Sequence, residues 1–460
     1  MKKIFVVLLM VMAGTLYAEI SLGVIVDMAI TPYQLIINDD DTPRRPGEPE
    51  LEEIIMGAGA GRFASGQGVR ARLDFRASHE DIIGTRVRIQ ARTDGVAIED
   101  YLQAWWKPTS WLRIDAGRFF DDRFRGKIND LDERMTGYTV RMYDADAIFT
   151  RFRTHWSGQA GLMVGLTPID NLWVGALLYD LNPFSASSAP GTVFDAHPDY
   201  VRDNSDVYNR IQAAAGYTIP GVGLFRVQYF GAKPHVNIRV VTDETAVLPS
   251  TYRIELFNIT APRVEAAFAF TGVDNLTLDI GGKVPLPFRD WTNSPTNIFE
   301  KEDEALLDAL YKIYKDNHIW QAPYQASLGL RYKLSDLELT GRVDTKFLGS
   351  IKGHNMERHL PTEMNVHLWP SYTFNSNKII VNFGYEYIGP TYDQNKELIG
   401  SGYPRALNGG NRYGIGLSVQ RNFFGSSFVK GGVAYKFASE VNGVQERAVL
   451  SVPLFLEFSF

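Results

Sequence analysis

Apolar and polar residues alternate along most of this chain with a period of two. That is the spacing of a strand, whose successive side chains point to opposite faces. From Val69 to Ala77, the residues Val69, Ala71, Leu73, Phe75 and Ala77 share one face, and Arg70, Arg72, Asp74 and Arg76 share the other. After a polar turn over 79–84 the pattern resumes, with Val87, Ile89 and Ala91 facing one way and Arg86, Arg88, Gln90 and Arg92 the other. Leu328, Leu330 and Tyr332 alternate with Ser327, Gly329 and Arg331, and Leu339 and Val343 stand against Arg342 and Asp344. The phase holds from Ile148 to Leu166 and from Ile254 to Phe270, so each stretch is expected to form one long strand. Trp105, Trp106 and Trp111 fall at strand ends, where an aromatic girdle would meet a membrane surface.

Short connections are expected at 79–84, 107–110, 167–171, 220–223, 272–275, 335–336, 374–378 and 423–426. Long ones are expected at 31–66, 119–147, 181–206, 232–250, 287–319, 351–361 and 390–408. After the first stretch the two kinds almost perfectly take turns, which predicts an all-β, antiparallel transmembrane barrel of about 18 strands, with 16 as the alternative. Short turns then lie on one side, long loops on the other, and an even count brings both termini to the short-turn side. A soluble sandwich also alternates, but its strands seldom exceed about ten residues.

Both ends of the sequence carry signals. Met1-Lys2-Lys3, an apolar stretch from Ile4 to Leu16, and Tyr17-Ala18 have the three-part layout of a secretory signal peptide. Cleavage is expected after Ala18, although Leu16 departs from the usual small residue. The apolar stretch is short for a helix that needs about 20 residues to span a bilayer. The chain therefore divides into a signal at 1–18 and one barrel domain at 19–460. At the other end, Phe460, Phe458, Leu456, Leu454, Val452, Leu450 and Ala448 share one face.

A terminal Phe preceded by apolar residues at alternate positions is similar to the C-terminal signature of bacterial outer-membrane proteins. With the turn pattern, the chain resembles the porins and related diffusion channels of 16–18 strands. In named motifs this resemblance covers the last strand; in architecture it covers the whole exported chain. It implies placement in the outer membrane, contact with its lipid, engagement of the barrel assembly machinery by Phe460, Phe458 and Leu456, and a possible homotrimer. In general porins an early loop folds into the barrel and sets acids against a wall of arginines. Here the loop would be 119–147, with Asp121, Asp122, Asp130, Asp132 and Glu133. The wall, lining the pore, would be Arg70, Arg72, Arg76, Arg86, Arg88, Arg92, Arg113, Arg151 and Arg153.

Composition narrows the remaining choices. The 460 residues carry a net charge of −6, which disfavours a dedicated nucleic-acid binder. The absence of cysteine removes disulfides, thiolate metal sites and a cysteine nucleophile. At 45% hydrophobic the chain is too apolar for a solvated coil. No catalytic arrangement, cofactor site or metal site is expected: His354 and His359 flank Glu357 on a loop without helical context, and Asp39 to Asp41 read as solvated acids. A helix is expected within 299–318. The function that follows is passive diffusion of small hydrophilic solutes with a mild anion preference, because rows of guanidinium groups concentrate anions in a narrow pore. Two alternatives stand beside it, a substrate-selective channel for sugars or hydrophobic compounds and a surface adhesin without transport. A further alternative for the arginines is a closed network with Asp74, Asp115 and nearby acids.

Overall fold

A computed structural model describes residues 19–37, 51–57, 69–92, 95–121, 128, 152–153, 161–179, 211–231, 235–242, 252–287, 319–353, 356–359, 362–389, 409–441, 444–446 and 448–460. The alternation closes into a barrel. Its first strands are β1 (Glu19–Ile37), β2 (Val69–His79), β3 (Ile83–Arg92), β4 (Gly95–Thr109), β5 (Leu112–Arg118) and β6 (Gly161–Ile169). They continue with β7 (Leu172–Tyr179), β8 (Ile211–Ile219), β9 (Gly223–Phe230), β10 (Arg263–Val273), β11 (Leu276–Pro285) and β12 (Tyr324–Leu334). The last six are β13 (Leu337–Phe347), β14 (Glu363–Leu368, resuming at Ser371–Phe374), β15 (Asn377–Ile388), β16 (Gly410–Asn422), β17 (Phe428–Lys436) and β18 (Ala448–Ser459). Each pairs antiparallel with the next, and β18 pairs back onto β1, so the sheet is a closed cylinder of 18 strands. Closure removes the free edges that would otherwise template aggregation. β1 carries an extra residue between Ile30 and Tyr33 against β18, a bulge that bends the seam. Pro370, which has no N–H to donate, falls in the interruption of β14.

The two faces differ as the alternation requires. Ile20, Leu22, Leu73, Leu102, Leu162, Val164, Ile280, Leu328, Ile415 and Leu417 are exposed on the outside, while Asp27, Gln90, Asp115, Glu265 and Asp279 are buried within. So continuous an apolar exterior is stable only in contact with lipid. At the short-turn end Trp106, Trp111, Tyr217, Phe225, Tyr372, Phe374, Phe423 and Phe424 are exposed, an aromatic band suited to the membrane boundary. On β16, Tyr413 and Phe423 bracket the apolar outward residues. Ten residues at about 3.3 Å each, tilted by about 40°, give roughly 25 Å, the height of a barrel's apolar band. The short turns use residues that tolerate positive φ: Asn171 (67°), Asn275 (64°), Asn375 (52°) and Gly221 (72°).

Several expectations change. The two long strands are each broken. Phe152–Arg153 pairs with Phe120–Asp121 in a ladder separate from the wall, which begins only at Gly161. Tyr252–Thr260 pairs with His235–Thr242 as its own hairpin, and the wall resumes at Arg263 after Pro262. Periodicity fixes which face a residue takes but not which strand it joins. The long 31–66 connection is shorter than expected, since β1 continues to Ile37 and Leu51–Gly57 folds back on it. All eight expected short turns are present, and both termini lie at that end, where the Phe460 N–H donates to Val24 O at 2.8 Å. At the opposite end one connection is only two residues long, Thr93 and Asp94 between β3 and β4, and β17 joins β18 through the small hairpin Ser439–Val441 and Val444–Glu446. Neither was expected. Trp105 does not belong to the girdle. It is 4% exposed and turned inward, lying where a Cβ on Gly84 would come within 2.2 Å of its ring. Because neighbours alternate, Trp105 and Trp106 cannot both face lipid. The signal region at 1–18 and the helix expected at 299–318 lie outside the described residues.

Candidate functional site

The inner face of β1 to β5 holds a band of ion pairs. Asp27, a lone carboxylate in the apolar run of β1, receives Arg70 Nε at 2.9 Å and Arg72 Nη2 at 2.8 Å from β2. Asp74 accepts from two arginines of β3: Arg86 Nε at 2.9 Å and Nη2 at 2.6 Å, and Arg88 Nη2 at 2.6 Å. The same two guanidinium groups stack over the Tyr101 ring of β4, 3.6 and 4.7 Å from its centroid, a cation–π contact that holds them flat against the wall. Asp115 accepts from Arg113 at 2.7 and 2.8 Å and from Gln103 Nε2 at 2.6 Å. Trp105 lies between Arg76 and Arg113, whose guanidinium carbons are 5.1 and 5.4 Å from its centroid. Each carboxylate thus serves two or three donors, the geometry of strong charge-assisted bonds.

Arg70, Arg72, Arg86, Arg88 and Arg113 therefore meet three carboxylates of the wall, Asp27, Asp74 and Asp115. At the short-turn end Arg76 and Lys107 both reach Asp81 in the β2–β3 turn. The hydrogen bond from the Lys107 ammonium holds the Asp81 carboxyl below its ordinary range.

A segment from the β5–β6 connection enters the barrel. At its root Phe119 is buried with Tyr101, Met163, Leu177, Ala214 and Ala267, from inside β4, β6, β7, β8 and β10. Farther along, Ile128 is fully buried against Trp369 and Ile380 of the far wall. Its N–H donates to Asp279 Oδ2 on β11 at 2.8 Å. Gly329 on β12 makes the room: a Cβ there would lie 3.2 Å from the Ile128 side chain. Asp279 also lies 3.9 Å from Arg226 of β9, both without solvent exposure.

The chain thus reaches across from β5 to β11–β15, and the two sides differ. Inward residues of β7 to β11, such as Leu177, Arg226, Gln228, Glu265 and Asp279, are 0–1% exposed. The five paired arginine side chains on β2, β3 and β5 retain 13–31% exposure. These arginines keep partial access to solvent that the named residues of β7 to β11 lack; elsewhere on the inner face Arg263, Lys378 and Arg412 keep 15, 27 and 18%.

Among the residues expected to line a pore, Arg70, Arg72, Arg76, Arg86, Arg88 and Arg113 come together on this wall. Arg92 occupies the last rung of β3, opposite Arg70 and Gly95. Arg153 is not on a wall strand, because its segment pairs with Phe120–Asp121 instead. Arg151, Asp122, Asp130, Asp132 and Glu133 lie outside the described residues, and Asp121 is placed there by its backbone ladder alone. Among the described residues, the acids that meet the arginines at the distances given above are Asp27, Asp74 and Asp115 of the wall. Of the C-terminal residues, Leu456 and Phe458 fall on rungs opposite Met28 and Val26 of β1. Among the described residues no cluster of His, Asp and Glu is placed to hold a metal ion.

Asp27 was absent from the sequence-derived set, though a lone acid among the apolar residues of β1 was a usable signal. Nothing local marks Ile128, Asp279 or Arg226, because the contacts that define them are far apart in the chain.

No family model matches this chain, and no curated protein does. Among solved structures, OpdL of Pseudomonas aeruginosa is similar at 9% identity and a TM-score of 0.46, over 96% of this chain and 99% of that one. A BenF-like porin from Pseudomonas fluorescens Pf-5 is similar at 8% identity and a TM-score of 0.45, over 96% and 98%. The outer membrane channel DcaP of Acinetobacter baumannii is similar at 9% identity and a TM-score of 0.42, over 97% and 99%. The fold described above rests on the chain's own closed sheet.

Proposed function

We propose that this protein is an outer-membrane porin through which small hydrophilic solutes diffuse passively, with a mild preference for anions. The observation that carries this reading is the uneven wall of β1 to β5: five guanidinium groups, three carboxylates and partial access to water. The inward residues of β7 to β11 are buried, so solutes do not pass along that part of the wall. In a narrow passage with low-dielectric walls a row of guanidinium groups raises the local concentration of anions and lowers that of cations. Arginine suits the task because it stays ionised at any working pH. The apolar exterior and aromatic band support membrane residence, and the alternating C-terminal strand supports delivery by the barrel assembly machinery. Related porins are often trimers, and this one is proposed to assemble likewise.

Planar-bilayer recording under a salt gradient tests the reading. The expected reversal potential has the sign of anion preference and moves toward zero in Arg86→Gln/Arg88→Gln. A cation-preferring pore that this double change leaves unaltered refutes the selectivity, and a folded barrel with no conductance refutes the channel.

A further inference from the structure

The wall opposite the arginines carries a second inward-facing group of a different kind. Thr340 on β13, His367 and Ser371 on β14, Asn382 on β15 and Ser418 on β16 are each 1–3% exposed. The Thr340, Ser371 and Ser418 hydroxyls, both ring nitrogens of His367 and Asn382 Nδ2 are buried without a hydrogen-bond partner. Register places them together. Ile380 lies opposite Ser371 on one side and Ser418 on the other, with Asn382 two residues along the same face. The Trp369 N–H bonds Thr340 O at 2.8 Å, and His367 precedes Trp369 by two.

Leaving one such atom buried and unpaired costs about 1–3 kcal/mol. A fold keeps several on adjacent strands only where something else satisfies them. Their chemistry narrows what that is. Two carboxylate oxygens on these strands, Asp344 Oδ2 and Glu386 Oε1, also lack a hydrogen-bond partner, but both carboxylates are already charge-paired: Arg342 with Asp344 at 3.0 and 3.1 Å, and Arg412 with Glu386 at 2.6 Å. The group as a whole can donate and accept, beside the apolar surface of Trp369, Ile380 and Ile128. A hydroxyl group does both at once, and a ring or chain bearing several of them also presents C–H edges to an aromatic face.

We infer that this wall is a binding site for neutral, hydroxyl-rich solutes, entered at the position that Ile128 covers. The inference rests on the channel reading and names a solute class for the side of the lumen away from the arginines. It is tested by single-channel recording with sorbitol added to the bath. Sorbitol is expected to produce resolvable blocks. Asn382→Leu/Ser418→Ala should weaken them by about tenfold, the equivalent of about 1.4 kcal/mol, whereas Ile128→Ala should make them more frequent. Arg86→Gln/Arg88→Gln should leave them unchanged while altering ion preference. A conducting wild-type pore that sorbitol does not block, or blocks that survive Asn382→Leu/Ser418→Ala, overturns the site but not the channel. Should the folded barrel carry no current, the channel reading falls. Calorimetric titration of the detergent-folded protein with sorbitol then decides: heat abolished by Asn382→Leu supports the site, and absence of heat overturns it.

Discussion

Asp74 gives the sharpest test of how the arginine wall works. It lies between Arg86 and Arg88, accepting from both at 2.6 Å. Asp74→Asn removes one negative charge with little change in shape, making the wall more positive by one unit. One unit charge felt at about 8 Å is worth about 0.5 kcal/mol in bulk water and about 2 kcal/mol at an effective permittivity of 20. At 0.1 M salt, with a screening length of about 10 Å, slightly less than half of each remains, or about 0.2 to 0.9 kcal/mol. The term acts with opposite sign on chloride and potassium, so it counts twice in their ratio. The expected gain in anion over cation permeability is therefore about two- to twentyfold, read as a shift in reversal potential in 0.1 M gradients. At 1 M salt the screening length falls to about 3 Å and the gain should nearly vanish. Tyr101, stacked beneath both arginines, keeps them in place, so the variant should still run as a heat-modifiable barrel on gels. No change in the ratio at low salt, a shift toward cations, or a gain that persists at 1 M would each sink the electrostatic argument.

Three further perturbations have definite expected results. In Gly175→Val the new Cβ would meet the Trp173 ring at 2.2 Å, so overpacking should cost about 1–3 kcal/mol and lower the urea midpoint of the folded band. Deleting Phe460 removes the rung in which it both donates to and accepts from Val24, at 2.8 and 3.1 Å, and should reduce the fraction assembled, measured by heat-modifiable mobility in isolated outer membranes. Asp81 is half exposed and its carboxyl is depressed by Lys107; such a group stabilises above its unfolded value of about 3.9 and ceases to as pH falls through the folded one. Asp81→Asn should therefore lower the urea midpoint slightly at pH 7 and leave it unchanged well below pH 3, and equal loss at both would refute the assignment.

The strands and their faces were legible because a two-residue period is a local property, written residue by residue in runs such as Val69 to Ala77. The short turns were legible for the same reason. The Thr93–Asp94 connection escaped although the apolar phase shifts across it, from Ile89 and Ala91 to Val96 and Ile98, and although Asp94 followed by Gly95 is itself a hairpin signal. Arg70, Arg72, Arg86 and Arg88 could be assigned to one face but not to partners. That Asp27 answers the first two, and Asp74 the others, depends on register across strands 43 residues apart or more in the first case. Trp105 and Trp106 show the limit from the other side, since residue type suggested a girdle for both while the alternation allowed it for only one. Arg153 shows what periodicity omits, because a residue in phase with the wall paired instead with the entering segment. Ile128 carries no local mark at all: an isoleucine becomes an anchor only when Gly329, Trp369 and Asp279, each on a different strand, leave it a place and a partner.

β3 and β4 are only two residues apart in the chain, and the last rung between them sets Arg92 opposite Gly95. Below that rung the inner face carries Arg70, Arg88 and Arg86 in descending order. In the proposed channel, whatever moves along this wall meets three guanidinium groups in succession, each fixed at its own height by the β2–β3 ladder.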